Sequence, residues 1–262
     1  MTADDRHWPE WAIEGVLLGC FMIAACGFAT VLEHPASAVH RLLPDATIRR
    51  LLMGVAMGGT AVALIRSPWG RRSGAHMNPA LTLTYLRLGK IAPADCAGYV
   101  VAQFAGAVAG VVLVRATLGM LAGHPAVQFA VTAPGAGGVA VAFAAELAIS
   151  FVLMTVVLVA TNDPRLAPYT PLLCGALVAT YIAVEAPLSG MSMNPARSFA
   201  SALVAGHWTA LWIYFTAPPI GMLLAAEAYK RLKQNHVVAC AKLHHQNNKR
   251  CIFRCDFEAN SN

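Results

Sequence analysis

Two short stretches hold most of the residues whose types and spacing could do chemistry. Asn78-Pro79-Ala80 and Asn194-Pro195-Ala196 lie 116 positions apart, both inside the frame Ser-Gly-x-x-Met-Asn-Pro-Ala. Asparagine is a strong N-cap, because its side-chain oxygen accepts a backbone N–H of the first helical turn. Proline suits the first helical position, where no donor is needed. Each stretch therefore reads as the start of a helix whose N-terminus carries about half a positive charge. Ahead of each run Gly74-Ala75-His76 and Gly190-Met191-Ser192, segments too irregular to meet lipid. Turned into a water-filled space, their carbonyls would form a ladder of acceptors, with the Asn78 and Asn194 amides as donors where the ladders meet. Two positive helix ends at that point would repel cations and admit neutral solutes. A single copy would read as a turn or an ordinary capped helix. The second copy, in the same frame, points to a channel or transporter core.

Three charged residues belong to the same picture. Arg197 follows the second motif directly, whereas Leu81 holds the matching place in the first. An arginine inside a membrane costs about 2.5–3.5 kcal/mol on insertion scales and usually faces a water-filled cavity; the plainer alternative is snorkelling to an interface. Glu14 and Glu146 fall within apolar runs. Each needs donors, most simply the N–H groups of the irregular loops, and is expected to brace them. A proton relay is the sharper alternative, but two symmetric acids do not make a titratable chain across a membrane.

The elements that must position these residues are helical and apolar. The chain has 262 residues, 57% hydrophobic and 12% charged, against about 25% charged in soluble domains. Six runs are long enough to span a bilayer, about 11–32, 48–65, 96–114, 139–160, 170–186 and 208–229. The two half-helices add about 78–88 and 194–204. About 11 residues at 1.5 Å rise give roughly 16 Å, half of a hydrocarbon core of about 30 Å. Repeats over about 11–120 and 139–229, joined by a Gly-, Pro- and Ala-rich stretch, each hold three spans. The second must then be inverted, which points the two capped N-termini at each other. The fold class is thus an all-α membrane protein, six transmembrane helices plus two re-entrant half-helices in an inverted repeat.

Charge and cysteines refine this. The net charge is +6, explained by orientation better than by nucleic acid. Arg66, Arg71, Arg72, Arg87, Lys90 and Arg165 share one side with Arg6, Lys230, Arg231 and Lys233, so that side and both termini are expected to be cytoplasmic. Arg41, Arg49 and Arg50 count against it. Asp4, Asp5 and Glu10 stand where a signal peptide would be basic, so the first span is expected to remain as an anchor. Seven cysteines, four of them (Cys20, Cys26, Cys96, Cys174) in apolar spans, argue against a disulfide framework. Residues 1–236 form the channel domain; 237–262 turn polar and are expected to be a disordered cytoplasmic tail. A metal site at Cys251 and Cys255 is disfavoured, and no cofactor, metal or catalytic constellation is expected.

From about Trp11 to Tyr229, on the strength of the paired Asn-Pro-Ala motif, the chain resembles the major intrinsic protein family, the aquaporins and their glycerol-conducting relatives. The resemblance implies a right-handed bundle in the plasma membrane, assembled as a homotetramer with one pore per subunit. It implies an outer selectivity filter of Met57, Ile182, Met191 and Arg197, with Gly58 the alternative to Met57. The water-specific pattern has an aromatic ring and a histidine at the first two places, so this apolar lining is expected to be less restrictive. Ser198, Ala202, Tyr214 and Phe215 match the water type more than the glycerol type, although core or interface packing accounts equally well for the two aromatics. His76 resembles a pore-lining histidine. The function implied is a passive channel for water and other small neutral solutes that excludes protons and ions, with a channel mainly for glycerol, ammonia, hydrogen peroxide or metalloid acids as the alternative. An inverted-repeat secondary transporter is the reading from another class.

Overall fold

The computed structural model describes residues 7–232 and 238–256, so the expectations placed on Asp4, Asp5, Arg6 and Lys233 fall outside the described residues. The long helices are α1 (Trp8–Glu33), α2 (Ala46–Arg66), α4 (Pro93–Leu118), α5 (Gly138–Thr161), α6 (Thr170–Val184) and α8 (Trp212–Leu232); the half-helices are α3 (Pro79–Arg87) and α7 (Pro195–Ala205). Among the described residues, five helices are long and apolar enough to cross a membrane. The sixth long helix, α8, carries Pro218-Pro219 inside and Glu227, Lys230 and Arg231 near its end. The described residues contain no strand. The chain is a multi-pass membrane protein.

Hydrophobic patterning does not show which face of a span is buried. In α1, Leu17, Leu18, Met22 and Cys26 are buried while Val16, Ile23, Phe28 and Val31 are exposed. Both faces are apolar, as expected of a helix between protein and lipid. Small residues mark the inner face instead, since they let backbones approach. Helix α1 packs on α4, α5 on α8, and α2 on α6 across the halves. A Cβ added at Gly106 would stand 1.9 Å from the Gly15 carbonyl oxygen, and one at Gly58 would stand 2.5 Å from that of Gly175. Neither obstacle is a flexible side chain. Gly106→Val is therefore expected to push α1 from α4 and to destabilise by about 1–3 kcal/mol, read as a lower unfolding midpoint in detergent. Gly27→Ala, where nothing lies within 4 Å, should leave the midpoint in place; equal effects of the two would refute the close-packing account.

The halves mirror each other in their contacts. Helix α3 from the first half lies against α8, and α7 from the second against α4. At the far end Asp45 caps α2 by accepting the Thr47 and Ile48 N–H groups. Arg49, one of the basic residues that count against the expected orientation, is buried, donates to Glu33 and to the Leu43 and Pro44 carbonyls, and so adds no free positive charge there.

The polar composition of 237–262 led to the expectation of a disordered tail. In the structure residues 238–256 form no helix or strand, yet they pack against the bundle with Val238, Cys240, Ala241, Leu243 and Phe253 buried. The Ala239 N–H donates to Asn162 and the Arg254 N–H to the Lys90 carbonyl, and Lys90 pairs with Asp256. The correction has a physical reason. The apolar residues are too few to raise the segment's average, but each falls where the bundle has a surface to cover.

Candidate pore and its capped half-helices

Each half-helix is built as its sequence requires. Asn78 Oδ1 accepts the Ala80 N–H, and Asn194 Oδ1 accepts those of Ala196 and Arg197. Before each helix the chain turns through a left-handed glycine, Gly74 (φ 95°) or Gly190 (φ 82°). Positive φ recurs at Ala75, Met77, Met191 and Met193. A left-handed non-glycine residue costs on the order of 1–3 kcal/mol and persists only when its surroundings over-determine it. The surroundings here are the two buried acids.

Glu14 accepts the Ser73 hydroxyl, the His76 and Met77 N–H groups and the Gln103 amide. Glu146 accepts the Ser189 hydroxyl and the Ser192 and Met193 N–H groups. Both side chains are fully buried. The same repeat logic brings in two tyrosines: Tyr99 donates to the Ser73 carbonyl and Tyr214 to that of Ser189. No local signal marks Tyr99 for this role, because a tyrosine in a span is usually plain packing. Of the aromatic pair Tyr214 and Phe215, only Tyr214 takes part; Phe215 is 40% exposed and stacks on Phe104.

The two loops meet tip to tip. Asn78 Nδ2 donates to the Met193 carbonyl at 2.7 Å, and Asn194 Nδ2 donates to the Met77 carbonyl at 2.7 Å. Each amide has two N–H groups, so one ties the tips together and the second is left for the lumen. Beside this junction runs a cavity of about 280 Å³. Met57, Ile182, Met191 and Arg197 all line it, as do Asn78, Asn194, Ala75, His76, Gly190 and Ser192. Gly58 does not, and Gly74 stands back from it, because the Leu243 N–H takes its carbonyl and the Phe253 ring covers its Cα. Pro79, Ala80, Pro195 and Ala196 are buried behind the junction, at the first turns of α3 and α7. Glu14 and Glu146 do not border the cavity. Arg197 Nη1 finds no protein acceptor, and among the described residues no acid forms a salt bridge with Arg197. The guanidinium thus stands beside the cavity with no ion-pair partner among the described residues.

Two features went unread in the sequence. The join between the repeats supplies Ala130 and Val131 to the cavity wall, and Thr132 bonds Ser198, which in turn bonds Ser192. A Gly-, Pro- and Ala-rich stretch looks like any linker, so no local signal marks this. The tail is the other. His76 Nε2 donates to the Ala241 carbonyl, Phe253 stacks on the His76 ring at 5.3 Å, and Leu243 lines the cavity. Between those contacts Lys242 is buried and donates to the Lys249 and Arg250 carbonyls; burial holds its ammonium below the ordinary lysine value. Burial, with Arg71 and Arg66 near by, holds the His244 imidazole below its ordinary value.

Comparison with known proteins agrees with this geometry. The family model described as major intrinsic protein matches residues 11–229. The chain is 33% identical over 218 residues to "Aquaporin NIP1-3" of Oryza sativa subsp. japonica, covering 83% of this chain and 72% of that protein. It is 34% identical over 212 residues to "Glycerol uptake facilitator protein-like 6" of Lactiplantibacillus plantarum, covering 80% and 92%. Its fold is similar to the X-ray structure of the aquaglyceroporin from Plasmodium falciparum, with a TM-score of 0.68 at 20% identity over 86% of this chain and 96% of that one. Matched over most of its length by a family model, and with both motifs of the repeat meeting at one junction, the chain belongs to the major intrinsic protein family.

Proposed function

We propose that this protein is a passive channel that conducts water, with other small neutral solutes, and excludes protons and ions. The observation that carries the reading is the reciprocal pair of 2.7 Å hydrogen bonds joining the half-helix tips beside the cavity. There two helix N-termini, each about half a positive charge, stand next to a guanidinium without an acid partner. A neutral solute exchanges hydrogen bonds at that point, and a cation meets positive potential. The apolar filter residues Met57, Ile182 and Met191 favour passage of solutes beyond water, and both a glycerol facilitator and an aquaporin stand among the relatives. A transporter needs a carboxylate available to its driving ion; Glu14 and Glu146 accept loop donors, and Glu33, which lines the cavity, is paired with Arg49.

Orientation and assembly follow as parts of the same proposal. The basic residues Arg66, Arg71, Arg72, Arg87, Lys90 and Arg165 support a His76 end that faces the cytoplasm of a plasma membrane, with the tail on the same side. The exposed apolar faces suit lipid and a homotetramer. Stopped-flow shrinkage of proteoliposomes tests the channel: water permeability should exceed that of empty vesicles, with a low activation energy and no dependence on an ion gradient. Flux that saturates, or collapses when an ion gradient is removed, would favour a transporter instead.

A further inference from the structure

The tail that composition left unstructured gathers Cys240, His245, Cys251 and Cys255, whose ligand atoms all lie within 4.8 Å of one another. Cys240 Sγ is 3.5 Å from Cys251 Sγ, and Cys255 Sγ is 3.1 Å from His245 Nε2. Three thiols and one imidazole are one of the recognised structural zinc sets. With Zn–S near 2.3 Å, a tetrahedral site separates its sulfurs by about 3.8 Å, which these spacings approach with small adjustment. The sequence spacing is Cys-x4-His-x5-Cys-x3-Cys, short enough for one local loop to surround one ion. The soft donor set favours zinc over oxygen-seeking cations.

What the cluster holds is as informative as its composition. Ala241 and Leu243, which touch His76 and line the cavity, lie inside the Cys240–His245 loop. Phe253, stacked on His76, lies inside the Cys251–Cys255 loop. An ion bound by all four ligands would pin the bases of both loops whose tips enter the pore mouth. The segment has no helix or strand of its own, and in such folds the free energy of metal binding is free energy of folding.

We propose that Cys240, His245, Cys251 and Cys255 bind one zinc ion, and that this ion holds residues 238–256 as a plug in the His76 end of the pore. The plug rests on the channel reading above; the metal site does not. Zinc binding displaces the thiol protons to solvent and leaves the redox state unchanged.

The test uses the full-length protein. Purified with reductant and dialysed against buffer with added Zn²⁺, it should retain about one zinc per chain by elemental mass spectrometry. The Cys251→Ser/Cys255→Ser variant should retain none. Replacing zinc by Co²⁺ should give a thiolate-to-cobalt charge-transfer band and the strong visible bands of tetrahedral coordination. Protein that binds no zinc and shows no thiolate–cobalt band overturns the site, as does a Cys240–Cys251 disulfide found by peptide mass spectrometry in the reductant-treated protein. In proteoliposomes a membrane-permeant chelator should raise water permeability severalfold, re-addition of Zn²⁺ should reverse it, and the double variant should be high and indifferent to both. Equal permeability with and without chelator, above that of empty vesicles, overturns the plug. Zinc bound stoichiometrically with every sample at the empty-vesicle rate overturns the channel reading and the plug, while the metal site stands.

Discussion

Replacing Glu146 by leucine is expected to bring water permeability down to that of empty vesicles. The substitution strands the buried Ser192 and Met193 N–H groups, while the Ser189 hydroxyl keeps Glu185 as its acceptor. Each buried donor left unmade costs about 1–3 kcal/mol, so two of them cost roughly 2–6 kcal/mol against a total stability of about 5–15 kcal/mol. Left-handed Met191 and Met193 then lose what holds them, and the second tip no longer presents the Met193 carbonyl to Asn78. Glu146→Gln separates bracing from simple misfolding. It keeps one carbonyl oxygen for Ser189 and Ser192 but turns an amide N–H toward Met193, so folded protein should be recovered with permeability cut by tenfold or more. Glu14, with its four donors, should behave the same way in the first half. The assay is stopped-flow permeability normalised to reconstituted protein, with unfolding midpoints alongside. A folded Glu146→Leu protein conducting at the wild-type rate would refute the bracing role.

The second large effect concerns Arg197. Arg197→Val is expected to admit larger neutral solutes such as glycerol faster and to weaken cation exclusion. One positive charge about 6 Å from a passing monovalent cation, at an effective dielectric of about 20, contributes roughly 3 kcal/mol of repulsion. At about 1.4 kcal/mol per factor of ten, that is on the order of a hundredfold in cation flux. The half-helix ends remain, so the variant should leak rather than become an ion channel. Arg197→Lys divides the two contributions: a lysine keeps the charge but not the planar fork, so solute passage should change while cation exclusion holds. The measurements are solute-driven swelling for glycerol and a potential-driven leak assay for potassium and protons. Valine and lysine variants with the same cation leak would show that the charge is not what excludes cations.

Much of this molecule was legible in the chain itself, and for a specific reason. Asn-Pro-Ala at positions 78–80 and 194–196 carries its structure locally: a cap, a first turn and a stop to what precedes it need no distant partner. That is why the half-helices expected at 78–88 and 194–204 appear as Pro79–Arg87 and Pro195–Ala205; spans long enough to cross a bilayer are equally local. Charge in an apolar run has few stable solutions, so Glu14, Glu146 and Arg197 could be picked out and given neighbours before any contact was known.

What only the tertiary structure decided is everything that depends on who meets whom. Helix α1 is apolar on all sides, so hydropathy does not distinguish lipid from protein; the choice is made where Gly15 and Gly106 let two backbones touch. Tyr99 and Thr132 become braces only once Ser73 and Ser198 are brought to them. The tail is the sharpest case. Its average polarity predicts a solvated chain, because an average is blind to position, whereas the bundle offers a mouth shaped for Leu243 and Phe253 and folding draws three cysteines and a histidine around them. Local chemistry thus determined the two half-helices and the spans. The packing of the tail against His76 and the cavity, and the gathering of Cys240, His245, Cys251 and Cys255 in it, exist only in three dimensions, since their parts share no helix and meet only when the bundle closes.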